Sequence, residues 1–135
     1  MKVDGACLCG HVQYEAEVDE RLVALCHCTD CQVNSGSAMG WVAAVIDQGF
    51  ELKSGALKTY IKTAESGRRR ALGFCPECGT RIVATPVEGE QGVISVRVGS
   101  IRQRAELQPR AHIWASSAQP WTFDQRGLPR VEKQR

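Results

Sequence analysis

At 135 residues and 14.8 kDa the chain has the length of one domain, 1–135, with a modest core, and two cooperating domains are excluded. Its 43% hydrophobic and 24% charged content is ordinary for a globular protein, and the opening MKVDGACLCG carries no apolar leader, which predicts a cytoplasmic setting. No apolar run nears the ~18 residues of a membrane span, so no membrane partner is expected. Net charge is +2, with five basic and nine acidic side chains in 1–67 against twelve and six in 68–135. That excess is scattered arginine with one run, Arg68 to Arg70, and eight aromatics in all, which argues against a nucleic-acid surface.

The first patterned segment, HVQYEAEV over residues 11–18, puts Val12, Tyr14, Ala16 and Val18 on one face and predicts a half-buried strand. A second strand, Leu22 to Cys26, runs into a cysteine cluster, and Thr29-Asp30-Cys31-Gln32 has a capping-box pattern that predicts a turn or two of helix ending near Gly36. Trp41 to Ile46 is a continuous apolar run suited to a central strand, closed by a turn at Asp47 to Gly49. Shorter extended segments follow at Phe50 to Lys53, Leu57 to Lys62, Ala71 to Cys75, Arg81 to Thr85 and Ile94 to Val98. Residues 102–121, with Pro109 and Pro120, read as a long irregular loop, and 127–135 as a loosely held tail in which Leu128 and Val131 are docking candidates. Strands at this spacing with little helix indicate an all-β fold.

Seven cysteines is the unusual number, and it is odd, which argues against a disulfide framework and for metal or thiol chemistry. They form a pair at Cys7 and Cys9, a triplet at Cys26, Cys28 and Cys31, and a pair at Cys75 and Cys78. A closed structural zinc site takes four ligands, whereas a working site keeps three and an open position. With each cluster kept whole, the two pairs make a four-cysteine site and the triplet stands alone. In Cys75-Pro76-Glu77-Cys78-Gly79 the proline fixes a turn and the glycine tolerates the geometry after the second ligand. An extended Cys7-Leu8-Cys9 would put both sulfurs on one side and Leu8 on the other.

His27, between two triplet cysteines, is expected to point its ring away from their sulfurs, while His11 and His112 stay open as a fourth ligand. Three thiolates leave a zinc ion at −1, a weak Lewis acid suited to a fourth thiolate from a substrate rather than to water activation. Coordination would hold that sulfur ionised at neutral pH, ready to join or leave a carbonyl carbon. Ser35, Gly36 and Ser37 fit a helix-ending turn as well as a substrate contact. Trp41, Trp114 and Trp121 are expected to pack in the core rather than wall a pocket.

The segments GACLCGHVQYEAE, CHCTDCQVNSGSA and FCPECGTRI, with Pro109, His112-Ile113-Trp114, Pro120-Trp121 and Gly127-Leu128-Pro129, resemble the glutathione-dependent formaldehyde-activating enzymes, the family that includes centromere protein V. The resemblance implies a β-tent fold, structural zinc on Cys7, Cys9, Cys75 and Cys78, and catalytic or labile zinc on Cys26, Cys28 and Cys31. It also implies a carbon-sulfur lyase joining glutathione and formaldehyde as S-hydroxymethylglutathione. Where family members often carry Arg or Lys after the triplet, this chain has Gln32, which removes a charge able to meet a substrate carboxylate. The competing reading is a zinc-stabilised thiol or glutathione carrier, or a protein-interaction module, without turnover.

Overall fold

The computed structural model describes residues 1–134. Its strands are β1 (Lys2–Ala6), β2 (Gln13–Cys26), β3 (Gly40–Ser54), β4 (Lys58–Thr63), β5 (Arg69–Phe74), β6 (Arg81–Pro86), β7 (Ser95–Arg97) and β8 (Ala111–Ile113), with α1 (Thr29–Ser35) between β2 and β3. They form one sheet in the order β1-β2-β3-β7-β6-β5-β4, antiparallel throughout, with β8 added parallel to the end of β2. The all-β expectation with little helix holds, but the two central strands are long. The segments 11–18 and Leu22–Cys26 are one strand, because a bulge between Val18 and Val23 lets pairing with β3 resume after a register shift. Likewise Asp47 and Gln48 take positive φ (47° and 60°) without ending β3, so the expected turn is a kink inside a continuous strand.

The alternation that runs into β2 builds the core: Val12, Tyr14, Ala16 and Val18 are all buried, as their spacing required. Beneath them lie Val3, Ala43, Val83, Val96, Ile101 and Leu107. Tyr14 stacks on Phe50 at 5.2 Å between ring centroids and hydrogen-bonds the Ser100 hydroxyl at 2.7 Å. The sequence reading missed β1, whose LysValAspGlyAla is short and carries a glycine. That glycine is required, because a Cβ on Gly5 would overlap the Tyr14 ring and the Ser100 carbonyl.

Residues 102–121 are mostly irregular, as expected, except for β8, which backs the last residues of β2 through the register Ala24↔Ala111 to Cys26↔Ile113. Residues 127–134 of the tail are exposed, and Leu128 and Val131 do not dock. Arg135, which completes the tail, lies outside the described residues. No helix among the described residues is long and apolar enough to cross a membrane.

Candidate metal centres and the cavity beside them

Two tight turns make the first centre. The β1–β2 connection carries Cys7 and Cys9 and the β5–β6 connection carries Cys75 and Cys78, and their four sulfurs lie within 4.8 Å of one another. Cys7–Leu8–Cys9 is a turn rather than extended chain: Gly10 N–H donates to Cys7 C=O at 3.1 Å, and Leu8 stands outward, almost fully exposed. The second turn closes the same way, Gly79 N–H donating to Cys75 C=O at 2.9 Å. Gly10 and Gly79 both sit in the left-handed region at φ near 80° (83° and 78°), which only glycine adopts without strain. Backbone amides aim at the sulfurs: Val12 N–H on Cys7 Sγ at 3.2 Å and Glu77 N–H on Cys75 Sγ at 3.4 Å. The Thr80 hydroxyl lies 3.1 Å from Cys78 Sγ, and this contact, with the Thr80 and Cys9 amides, holds the Cys78 thiol down to about 5.

The second centre forms where β2 ends against α1. Cys26 is the last residue of β2, Cys28 is the N-cap of the helix and Cys31 lies in its first turn, so their sulfurs too fall within 4.8 Å of one another. The capping differs from expectation: Cys28, not Thr29, is the cap, its sulfur accepting the Cys31 N–H at 3.3 Å. The helix stops at Gly36, left-handed at φ 64°, which accounts for Ser35-Gly36-Ser37 as a terminating turn.

Cys31 is held well below the ordinary thiol range, at about 5, by the neighbouring Cys26 thiol and by the guanidinium of Arg97, whose Nη2 lies 3.8 Å from its sulfur. Cys26 is pushed up correspondingly by its neighbour Cys31 and by burial. Gly40 makes room for this arrangement, since a Cβ there would overlap the Arg97 guanidinium.

The donor sets fit zinc, four thiolates in one centre and three in the other. At the triplet a second observation agrees. All three guanidinium nitrogens of Arg81, and Nη1 of Arg97, are buried without a hydrogen-bond partner among the described residues. Burial and the neighbouring Arg97 push Arg81 down to about 10 while Cys31 opposes the shift. Two crowded cations call for an anion, and a metal ion carrying three or four thiolates is one.

Cys26, Cys28 and Cys31 open into a cavity of about 530 Å³, whereas none of the other four cysteines lines it. The cavity and most of the core lie on opposite faces of the sheet. Along β3, Val42 and Ala44 line it while Ala43 is core; along β8, Ala111 and Ile113 line it while His112 points away.

The histidines and tryptophans sort themselves accordingly. His27 turns its ring from the sulfurs, as expected, and pairs with His112, Nε2 to Nδ1 at 2.8 Å, both packed on Phe123. Burial drives the His27 pKa down and keeps the ring neutral. His11 is exposed near the first cluster without joining it. Trp41 packs against the core with Nε1 on the Leu107 carbonyl at 3.2 Å. Trp114 and Trp121 do not pack there: both are half exposed, and Trp114 forms part of the cavity wall.

Gln32 acts as a clasp. Its amide donates to His27 C=O at 2.9 Å and Ser117 C=O at 3.0 Å and accepts from Gln119, tying the loop after β8 to the triplet. Arg81, Arg97 and the cavity's apolar wall went unseen in the sequence, because only strand pairing brings them together.

A crystal structure of a Rhodobacter sphaeroides protein has a similar fold, with a TM-score of 0.58 at 20% identity over 81% of this chain and 98% of that one. No curated protein sequence matches the chain. The model of the glutathione-dependent formaldehyde-activating enzyme family matches residues 2–117, a stretch that holds all seven cysteines, both centres and the cavity wall. By that match the chain belongs to the glutathione-dependent formaldehyde-activating enzyme family.

Proposed function

We propose that the protein is a zinc-dependent carbon-sulfur lyase that forms and releases the adduct of a glutathione-type thiol with an aldehyde, with S-hydroxymethylglutathione from glutathione and formaldehyde as the first reaction to assay. The observation that carries this reading is the asymmetry of the two centres: the three-cysteine cluster faces the cavity and the four-cysteine cluster does not. Family membership supports the choice of thiol and aldehyde. The thiols need a reducing setting, which the cytoplasm supplies.

Cys26, Cys28 and Cys31 would hold the working zinc, and Cys7, Cys9, Cys75 and Cys78 the structural one. Zinc bound at the triplet supplies a lowered pKa for a thiol that joins it, so that the sulfur is ionised near neutrality. The remaining work falls to the chain. Arg97, beside Cys31, and the buried Arg81 supply positive charge where an extra thiolate arrives. Trp114 and Ile113 on the wall limit water at the reacting carbon. The carbonyl oxygen takes up the electron pair and a proton from solvent as the S–C bond forms. His112 has no part in this, since its ring is committed to His27 and Phe123.

The test is the rate of adduct formation above the spontaneous background, for the wild type and for Cys31→Ser. A catalysed rate lost in the variant is expected, with the fold retained by circular dichroism. Equal rates in both would instead favour the carrier reading.

A further inference from the structure

The cavity is far larger than the one carbon and one oxygen that formaldehyde adds to a thiol, and much of its wall is apolar. Leu22, Val42, Ala44, Ala84, Ile113 and Trp114 contribute apolar surface, with small alanines where larger side chains would fill the space. Four of the charged side chains on this wall have partners, while Arg97 keeps one nitrogen, Nη1, without a partner among the described residues. Lys62 pairs with Asp30 at 2.6 Å, Arg21 with Asp19 at 2.8 Å, Arg70 donates to the Ala84 carbonyl at 3.1 Å, and Arg97 faces Cys31.

Trp114 adds an independent observation. It is a bulky residue held in the left-handed region, at φ 55° and ψ 39°, and its ring is half exposed on the wall instead of buried. Such backbone strain in a large aromatic persists where the position of the ring matters. Leu22, Val93 and Ile113 also line the cavity while remaining substantially exposed, so an unsatisfied apolar surface surrounds the approach to the three sulfurs.

We propose that this cavity receives an apolar alkyl or aryl group carried by the aldehyde, packed on Trp114 and Ile113, so that the preferred substrates are adducts of medium-chain or aromatic aldehydes rather than of formaldehyde. The inference rests on the thiol-adduct reading above and names the aldehyde class for the same site. The step is balanced without any further reagent. The thiol sulfur forms a bond to the carbonyl carbon, the C=O π pair moves to oxygen, the thiol proton ends on that oxygen, and nothing is oxidised or reduced.

Two measurements test it. The first is catalysed adduct formation with glutathione and the series formaldehyde, butanal, hexanal and benzaldehyde, each corrected for its uncatalysed rate. The second is calorimetric affinity for S-methyl-, S-butyl- and S-hexylglutathione, which requires no turnover. Each buried methylene is expected to gain roughly fourfold in kcat/KM and in affinity. Trp114→Gly relaxes the left-handed backbone while removing the ring, so it is expected to keep or raise the Tm yet flatten the chain-length dependence. Formaldehyde turned over best, with flat affinity along the S-alkyl series, would overturn the aldehyde class and leave the lyase reading standing. Chain-dependent S-alkyl affinity without catalysis of any adduct would keep the inference for the cavity and remove the lyase reading. A chain-length dependence unchanged in Trp114→Gly would overturn the role given to that ring.

Discussion

Arg81 is the residue whose environment is least self-consistent without an anion beside it. Its guanidinium is buried with no partner for any of its three nitrogens, and its neighbour Arg97 repels it. Replacing buried charged groups by apolar side chains of similar volume is often neutral or stabilising by about 1 to 4 kcal/mol. Arg81→Met is therefore expected to raise the Tm of protein from which a mild chelator has taken only the triplet ion, and yet to weaken zinc at the triplet roughly tenfold, as loss of outer-shell partners does. Paired thermal melts and a competition titration with a chromophoric chelator check both signs, and a Tm lowered equally in both states would contradict the assignment. Cys31 carries a second expectation at this scale. Held at about 5 by Cys26 and Arg97, it is the thiolate of the metal-free cluster, so alkylation at pH 6 should label it before Cys26, as peptide mass spectrometry would read out. The cysteines themselves were legible because ligand spacing is local. The two arginines were not, since they lie on β6 and β7 and meet only through the pairing of Val83 with Val96.

Strand alternation in β2 and the helix ending at Gly36 could be read directly, because both follow from periods and caps within a few residues. What failed to show were events that depend on a partner strand. The bulge that merges two expected strands into β2 is set by pairing with β3, and β8 exists only because the end of β2 offers it an edge. The Cys28 cap displaced the capping box expected from Thr29 because a sulfur oriented for the cluster already meets the Cys31 amide. β1 is open to disruption by a single substitution. Gly5→Ala would drive a methyl into Tyr14 and the Ser100 carbonyl, and overpacking of this kind costs about 1 to 3 kcal/mol. Urea unfolding should show a lower midpoint with an unchanged slope. A Gly5→Ala protein as stable as the wild type would mean that β1 yields more readily than its register implies.

Across the molecule, the proposed function assigns holding to one centre and reacting to the other. The four-cysteine centre ties the β1–β2 turn to the β5–β6 turn, and the three-cysteine centre sits at the end of β2 where the cavity opens. Metal analysis is expected to find two zinc ions per chain, the one at the triplet leaving first to a mild chelator. Removal of the second should abolish the cooperative thermal transition, since binding free energy at a structural site is folding free energy. Cys75→Ser should reproduce that loss, and Cys28→Ser should not. A chain with one tightly held ion and no second would restrict metal chemistry to the fold.

The clamp between those turns has one more consequence. Cys9 and Cys75 are 66 residues apart in sequence yet 3.8 Å apart through their sulfurs, and the β4–β5 hairpin turn at Ala64 to Arg68 lies between them with Glu65, Ser66 and Gly67 exposed. Each half of the chain thus owns two of the four thiols. A protein nicked once at Glu65 or Ser66 should travel as a single species on a sizing column and separate into two peptides only when the metal is stripped. The ion would then act as a reversible weld, joining halves that no longer share a backbone.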